Sequence, residues 1–163
     1  MNWDEYFFRH VYLAASKSKD KMTKIGAVIV RDNAIISEGY NGICRGVNDN
    51  TDDGRNDRPT KYFFYEHAER NSIYHCAKHG ISTLKAIIYT NGLPCSDCCR
   101  AIIQSGISKI IIHGQFPAMT HSTKWIESMQ ISYLMLKEAN IPVESYCEKL
   151  GLETLIDGKI IKV

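Results

Sequence analysis

Between residues 67 and 146 helix and strand alternate at spacings that few architectures accept. A helical segment begins near His67, runs to about His79 and stops at Gly80. The apolar run Ala86–Thr90 leads through Pro94 into a helix over Cys95–Ser105, closed by Gly106. A second run, Lys109–His113, precedes a long helix over Lys124–Ala139, and Pro142–Tyr146 makes the last strand of the series. Such alternation predicts parallel strands joined by right-handed crossovers, with helices covering the sheet. Upstream, Trp3, Tyr6, Phe7, His10, Val11 and Leu13 at helical spacing predict an amphipathic helix over residues 2–16. Ile25–Val30 and Ala34–Tyr40, separated by Arg31-Asp32-Asn33, read as an antiparallel hairpin. Residues 45–60 read as a long polar surface loop. In the tail, Asp157-Gly158 between apolar runs predicts a small hairpin. The expected fold class is α/β, a three-layer α/β/α arrangement around a mixed five-stranded sheet. It forms a single domain over residues 1–163, with 148–163 a hairpin or an oligomer contact.

Composition narrows the setting. A chain of 163 residues suits one domain, and 44% hydrophobic residues argue against intrinsic disorder. A formal charge of +2 gives no electrostatic case for a dedicated nucleic-acid binder. No apolar run reaches the roughly 18 residues of a membrane span, and Met1–Glu5 lacks the basic-then-apolar layout of a signal peptide. The expectation is a cytoplasmic protein. Its six cysteines then serve as metal ligands, reactive thiols or core fillers rather than disulfides.

Two clusters carry chemistry. His67-Ala68-Glu69 opens one helix and Pro94-Cys95-Ser96-Asp97-Cys98 opens the next. Cys95 and Cys98, three apart at a helix start, can aim both sulfurs at one point, where the positive helix end favours thiolates. Pro94 fits the first turn, where a missing N–H costs nothing. Parallel strands feeding both helices bring the two starts to one sheet edge, and His67 can supply a third ligand. Three His/Cys ligands with one open position describe catalytic Zn²⁺, which acidifies a water. Glu69, two residues past His67, is then a proton carrier rather than a ligand. His-x-Glu followed by Pro-Cys-x-x-Cys is the signature of zinc-dependent base deaminases. A structural zinc recruiting Cys99, Cys76 or His75 is the alternative, but it gives Glu69 no role.

The chain resembles the deoxycytidylate (dCMP) deaminases of the cytidine deaminase superfamily over about residues 5 to 145. The resemblance runs through Ile25–Val30, Gly39-Tyr40-Asn41-Gly42, His67–Ile73, Pro94–Cys98 and Ile102–Ile107. It implies hydrolysis of dCMP to dUMP and ammonia, serving dTTP supply in pyrimidine deoxynucleotide metabolism. It also implies a homohexamer with dCTP and dTTP as effectors. His67, Cys95 and Cys98 match the zinc ligands, Glu69 the proton shuttle, and Asn41 the residue facing sugar and phosphate. Ala27, beside Gly26, either lets the base lie close to the strand backbone or packs under a helix; Ala68, within the first motif, is a further substrate-side candidate. Without the resemblance, Asn41 reads as a turn residue capping its own backbone. The chain departs from the family at Cys44, where proline is usual, at Cys99, where alanine is usual, and at His113-Gly114-Gln115-Phe116, which lacks a tyrosine-bearing continuation. Ligands for a second, structural zinc are not matched, and one zinc is expected.

A dianionic phosphate needs a cation, and Lys24, Arg58 and Lys61 are the candidates. Trp125, Ile126, Met129, Leu134 and Met135 on the long helix read as core or a subunit contact. Two other functions compete: deamination of single-stranded DNA or tRNA, which needs a basic groove with stacking aromatics, and a non-catalytic zinc-bearing subunit, for which Glu69 has no use.

Overall fold

α1 (Trp3–Ser16) begins on Asn2, whose side chain accepts the Glu5 N–H at 2.8 Å and so satisfies one free donor of the first turn. The computed structural model describes residues 1–50, 52–114 and 123–163; Gln115 and Phe116 lie outside them. β1 (Gly26–Arg31) and β2 (Ala34–Tyr40) form the expected hairpin, turned by Asp32 and Asn33 at φ 52° and 58°. Positive φ at both turn residues matches the twist of the strands, and Asp and Asn tolerate it best among residues with side chains. After β3 (Gly42–Ile43) and the long loop come α2 (Lys61–Phe64) and β4 (Tyr65–Glu66), then α3 (Ala68–Lys78). β5 (Ile87–Thr90), α4 (Ser96–Gln104), β6 (Lys109–His113), α5 (Thr123–Glu138) and β7 (Val143–Tyr146) supply the alternating series. β8 (Glu153–Ile156) and β9 (Lys159–Lys162) make the tail hairpin.

The main sheet has the order β2-β1-β5-β6-β7. β5, β6 and β7 are parallel, whereas β1 is antiparallel to both of its neighbours. This is the mixed five-stranded sheet that the sequence predicts. Side chains alternate across it, so Ala27, Ile29, Ile88 and Ile110 face one layer and Val28, Val30, Tyr89 and Ile111 the other. The first set packs with Ile73, Ile102 and Leu136 of α3, α4 and α5. The second packs with Phe7, Phe8, Val11 and Tyr12 of α1. Burial on both faces explains the unbroken apolar run of β1.

Two glycines set how closely helices approach the sheet. A Cβ on Gly26 would lie 2.0 Å from the Val11 carbonyl oxygen of α1, and one on Gly39 would lie 2.3 Å from the Ala68 oxygen. Gly39 therefore fixes where α3 begins, and with it His67. Because β1 runs antiparallel to β5, its start meets the carboxyl end of β5, with Ala27 opposite Thr90. Residues 20–25, Asn41 and residues 91–95 thus gather at one sheet edge, beside the starts of α3 and α4.

Candidate active site

His67 caps α3 in extended backbone (φ −80°, ψ 155°) and Cys95 does the same for α4 (φ −70°, ψ 170°). The sequence places both inside their helices; each instead stands one residue before. Pro94 accordingly precedes the cap instead of occupying the first turn. This shift frees the cap side chains to point away from the helix axis toward each other. His67 Nδ1 lies 3.4 Å from Cys95 Sγ and 3.5 Å from Cys98 Sγ, and the three ligand atoms all fall within 4.8 Å of one another. A tetrahedral zinc with ordinary bond lengths requires N···S separations of about 3.5 Å. Both N···S separations therefore match zinc, and one nitrogen with two sulfurs is a donor set suited to it.

Glu69 is buried beside this trio, and its Oε2 accepts the Cys98 S–H at 3.5 Å. Burial pushes its carboxyl pKa up from the usual range, so a proton is held more readily there than in water. Burial also opposes charging His67, but the Cys95 bond and the Glu69 charge outweigh it and raise the imidazole. The neighbouring Cys98, with help from His67, lowers the Cys95 thiol to about 4. Cys95 and burial in turn hold the Cys98 thiol high. Arg70 lies outside the trio, held by Glu66 and 3.5 Å from Asp97.

A cavity of about 160 Å³ opens from His67, Glu69 and Cys95 along the sheet edge. Ala68, Asn41, Arg58 and Lys61 line it, as do Asp20, Tyr65, Trp125 and Asp157. Lys24 does not; its Nζ lies 3.4 Å from the Ser16 carbonyl. Ala27 is fully enclosed in the core beneath α3, among Ile29 and Ile88. Lys61 is nearly enclosed, with Nζ 2.6 Å from Asp20 Oδ2. Asp20 in turn accepts the N–H groups of Met22 and Thr23 at 2.8 and 3.3 Å. Asn41 accepts the Ile25 N–H at 2.8 Å and donates to the Thr23 carbonyl at 2.8 Å and to Asp20 at 3.3 Å. Trp125, expected as core or subunit contact, instead lines the cavity with its ring 5.7 Å from that of His67. Its apolar spacing on α5 suits a core position equally well, so periodicity could not single it out.

Residues 1–114 match the family model for the cytidine and deoxycytidylate deaminase zinc-binding region. The chain belongs to the cytidine and deoxycytidylate deaminase family. Relatives of this deaminase include an uncharacterized deaminase in the luxG 3′ region of Aliivibrio fischeri, 37% identical over 143 residues, which span 86% of this chain and 91% of the relative. ComE operon protein 2 of Bacillus subtilis is 30% identical over 165 residues, 98% of this chain and 85% of its own. Human deoxycytidylate deaminase is 36% identical over 116 residues, covering 68% of this chain and 64% of the human protein. The dCMP deaminase of cyanophage S-TIM5, solved with dCMP and dUMP, superposes with a TM-score of 0.66 at 22% identity, over 87% of this chain and 95% of that one. That likeness establishes the cytidine deaminase-like fold. Among the described residues no helix is long and apolar enough to cross a membrane.

Proposed function

We propose that this single deaminase domain hydrolyses dCMP to dUMP and ammonia, with His67, Cys95 and Cys98 holding one zinc ion and Glu69 carrying protons. The observation that carries the reading is the His67/Cys95/Cys98 trio, its ligand atoms within 4.8 Å, with the Glu69 carboxylate 3.5 Å from Cys98 at the floor of a cavity. Zinc in such a site supplies Lewis acidity that brings the ionisation of a water near neutral pH. Glu69 takes the proton that water loses and delivers it to the ring nitrogen; it then moves the hydroxyl proton to the departing amine, which leaves as ammonia. Its raised pKa suits both accepting and returning a proton.

The other end of the cavity suits a sugar and phosphate. Both amide hydrogens of Asn41 are used within the protein, so toward a ligand it can only accept, through the second lone pair of Oδ1. A deoxyribose hydroxyl is a matching donor. Arg58 and Lys61 bring positive charge to the same wall. Relatives named deoxycytidylate deaminase support dCMP over another cytosine nucleotide. The reading extends to a cytoplasmic homohexamer that serves dTTP supply, activated by dCTP and inhibited by dTTP.

A substrate panel of dCMP, CMP, dCTP, deoxycytidine and single-stranded DNA tests the assignment. dCMP is expected to be the preferred substrate, and conversion of single-stranded DNA without dCMP would overturn it.

A further inference from the structure

Residues beyond the family-model match build part of this cavity. β8 and β9 are joined by Asp157-Gly158, with φ of 46° and 75°. Three bonds fasten this hairpin to the loop before β1. Lys24 N–H donates to the Leu155 carbonyl at 2.9 Å, Gly158 N–H to the Met22 carbonyl at 2.7 Å, and Asp157 N–H to Thr23 Oγ1 at 3.1 Å. The docked turn places the Asp157 carboxylate on the cavity wall, 3.4 Å from Arg58 Nη2.

We propose that Asp157 is a built-in competitor at the phosphate-binding end: its carboxylate occupies Arg58 at the cavity until a nucleotide phosphate displaces it. The inference rests on the nucleotide reading above. The two cations of the wall differ in how readily they can change partners. The Lys61 side chain is 6% exposed and its partner Asp20 is 5% exposed. Removing that cation would leave a buried carboxylate uncompensated, which is strongly unfavourable. Arg58 is 47% exposed and Asp157 27%, and a pair so exposed and so long contributes little. A dianionic phosphate offers Arg58 two parallel charge-assisted bonds, so it displaces Asp157, whose carboxylate then returns to water. Arg58 is thus the exchangeable cation and Lys61 the fixed one. Asp157 competes with the phosphate for the guanidinium.

The test is the KM for dCMP in the wild type, Asp157→Asn, Arg58→Met and the double variant. Asparagine has nearly the same shape and tolerates positive φ, so the turn and its bond to Thr23 are kept. Asp157→Asn is expected to lower KM about three-fold, the worth of an exposed ion pair. Arg58→Met is expected to raise KM about ten-fold or more. On the Arg58→Met background Asp157→Asn is expected to change nothing, since the two residues act through one interaction. A KM that stays the same or rises in Asp157→Asn, or a decrease that persists without Arg58, would overturn the proposal. A wild type that does not convert dCMP would overturn the nucleotide reading and this inference with it. The two failures differ visibly, because the first leaves wild-type turnover intact.

Discussion

Glu69 occupies the first turn of α3 with its carboxyl enclosed and within reach of Cys98. A carboxyl there faces the cavity and little else, so its proton partners are the molecules the cavity admits. Glu69→Gln keeps the shape and the helix start but removes the proton carrier. dCMP turnover is expected to fall about 10²- to 10⁴-fold while zinc content stays at the wild-type level, measured by steady-state kinetics and metal analysis on the same sample. Turnover within ten-fold of wild type would contradict the proton-carrier role. His67, Glu69, Cys95 and Cys98 stand out in the sequence because few residue types bind zinc, and their spacing puts them at helix starts. Asp20, Trp125 and Asp157 do not stand out. A carboxylate in a polar loop or a ring on an amphipathic helix fits many settings, and only the assembled sheet edge brings them to the cavity.

The layer formed by α1 contains a buried polar link that no periodicity could reveal. His113, at the end of β6, accepts the Tyr12 hydroxyl on Nδ1 at 2.6 Å and donates from Nε2 to the Glu148 carbonyl at 3.0 Å. Burial disfavours the charged imidazole and lowers its pKa below the ordinary 6.5. Below that ordinary value the unfolded chain binds more protons at this site than the folded one, so folding loses stability as pH falls from about 6.5 through the depressed native value. The Tm advantage of wild type over His113→Gln is therefore expected to be full above pH 7 and to shrink toward pH 5; a pH-independent difference would contradict this. The longer elements are legible because their apolar residues repeat at 3.6 or alternate at 2, and the Asp157-Gly158 tail turn is legible by its residue types. β3 and β4 are two residues each, too short to show a period. They pair Gly42 with Glu66 and Ile43 with Tyr65, and so tie the end of the β1–β2 hairpin to the segment entering α3.

Across the whole molecule, the site depends on β1 lying antiparallel between β2 and β5 in a sheet whose other half is parallel. That single reversal puts the start of β1 and the end of β5 at one edge, where the caps of α3 and α4 converge. The parallel half follows from the strand and helix order, and the hairpin from its turn residues. The placing of β1 beside β5 depends on packing between distant residues, such as Gly26 against Val11, which local patterns do not encode. Apart from Glu69, the charged residues lining the cavity, Asp20, Lys61, Arg58 and Asp157, stand as two opposite pairs. The most direct test is dCMP turnover measured against zinc content, with protein stripped by a chelator and zinc returned stepwise. The account predicts no dUMP from the stripped protein and a linear rise that levels off at one zinc per chain. Turnover without zinc, or none with one zinc bound, would contradict it.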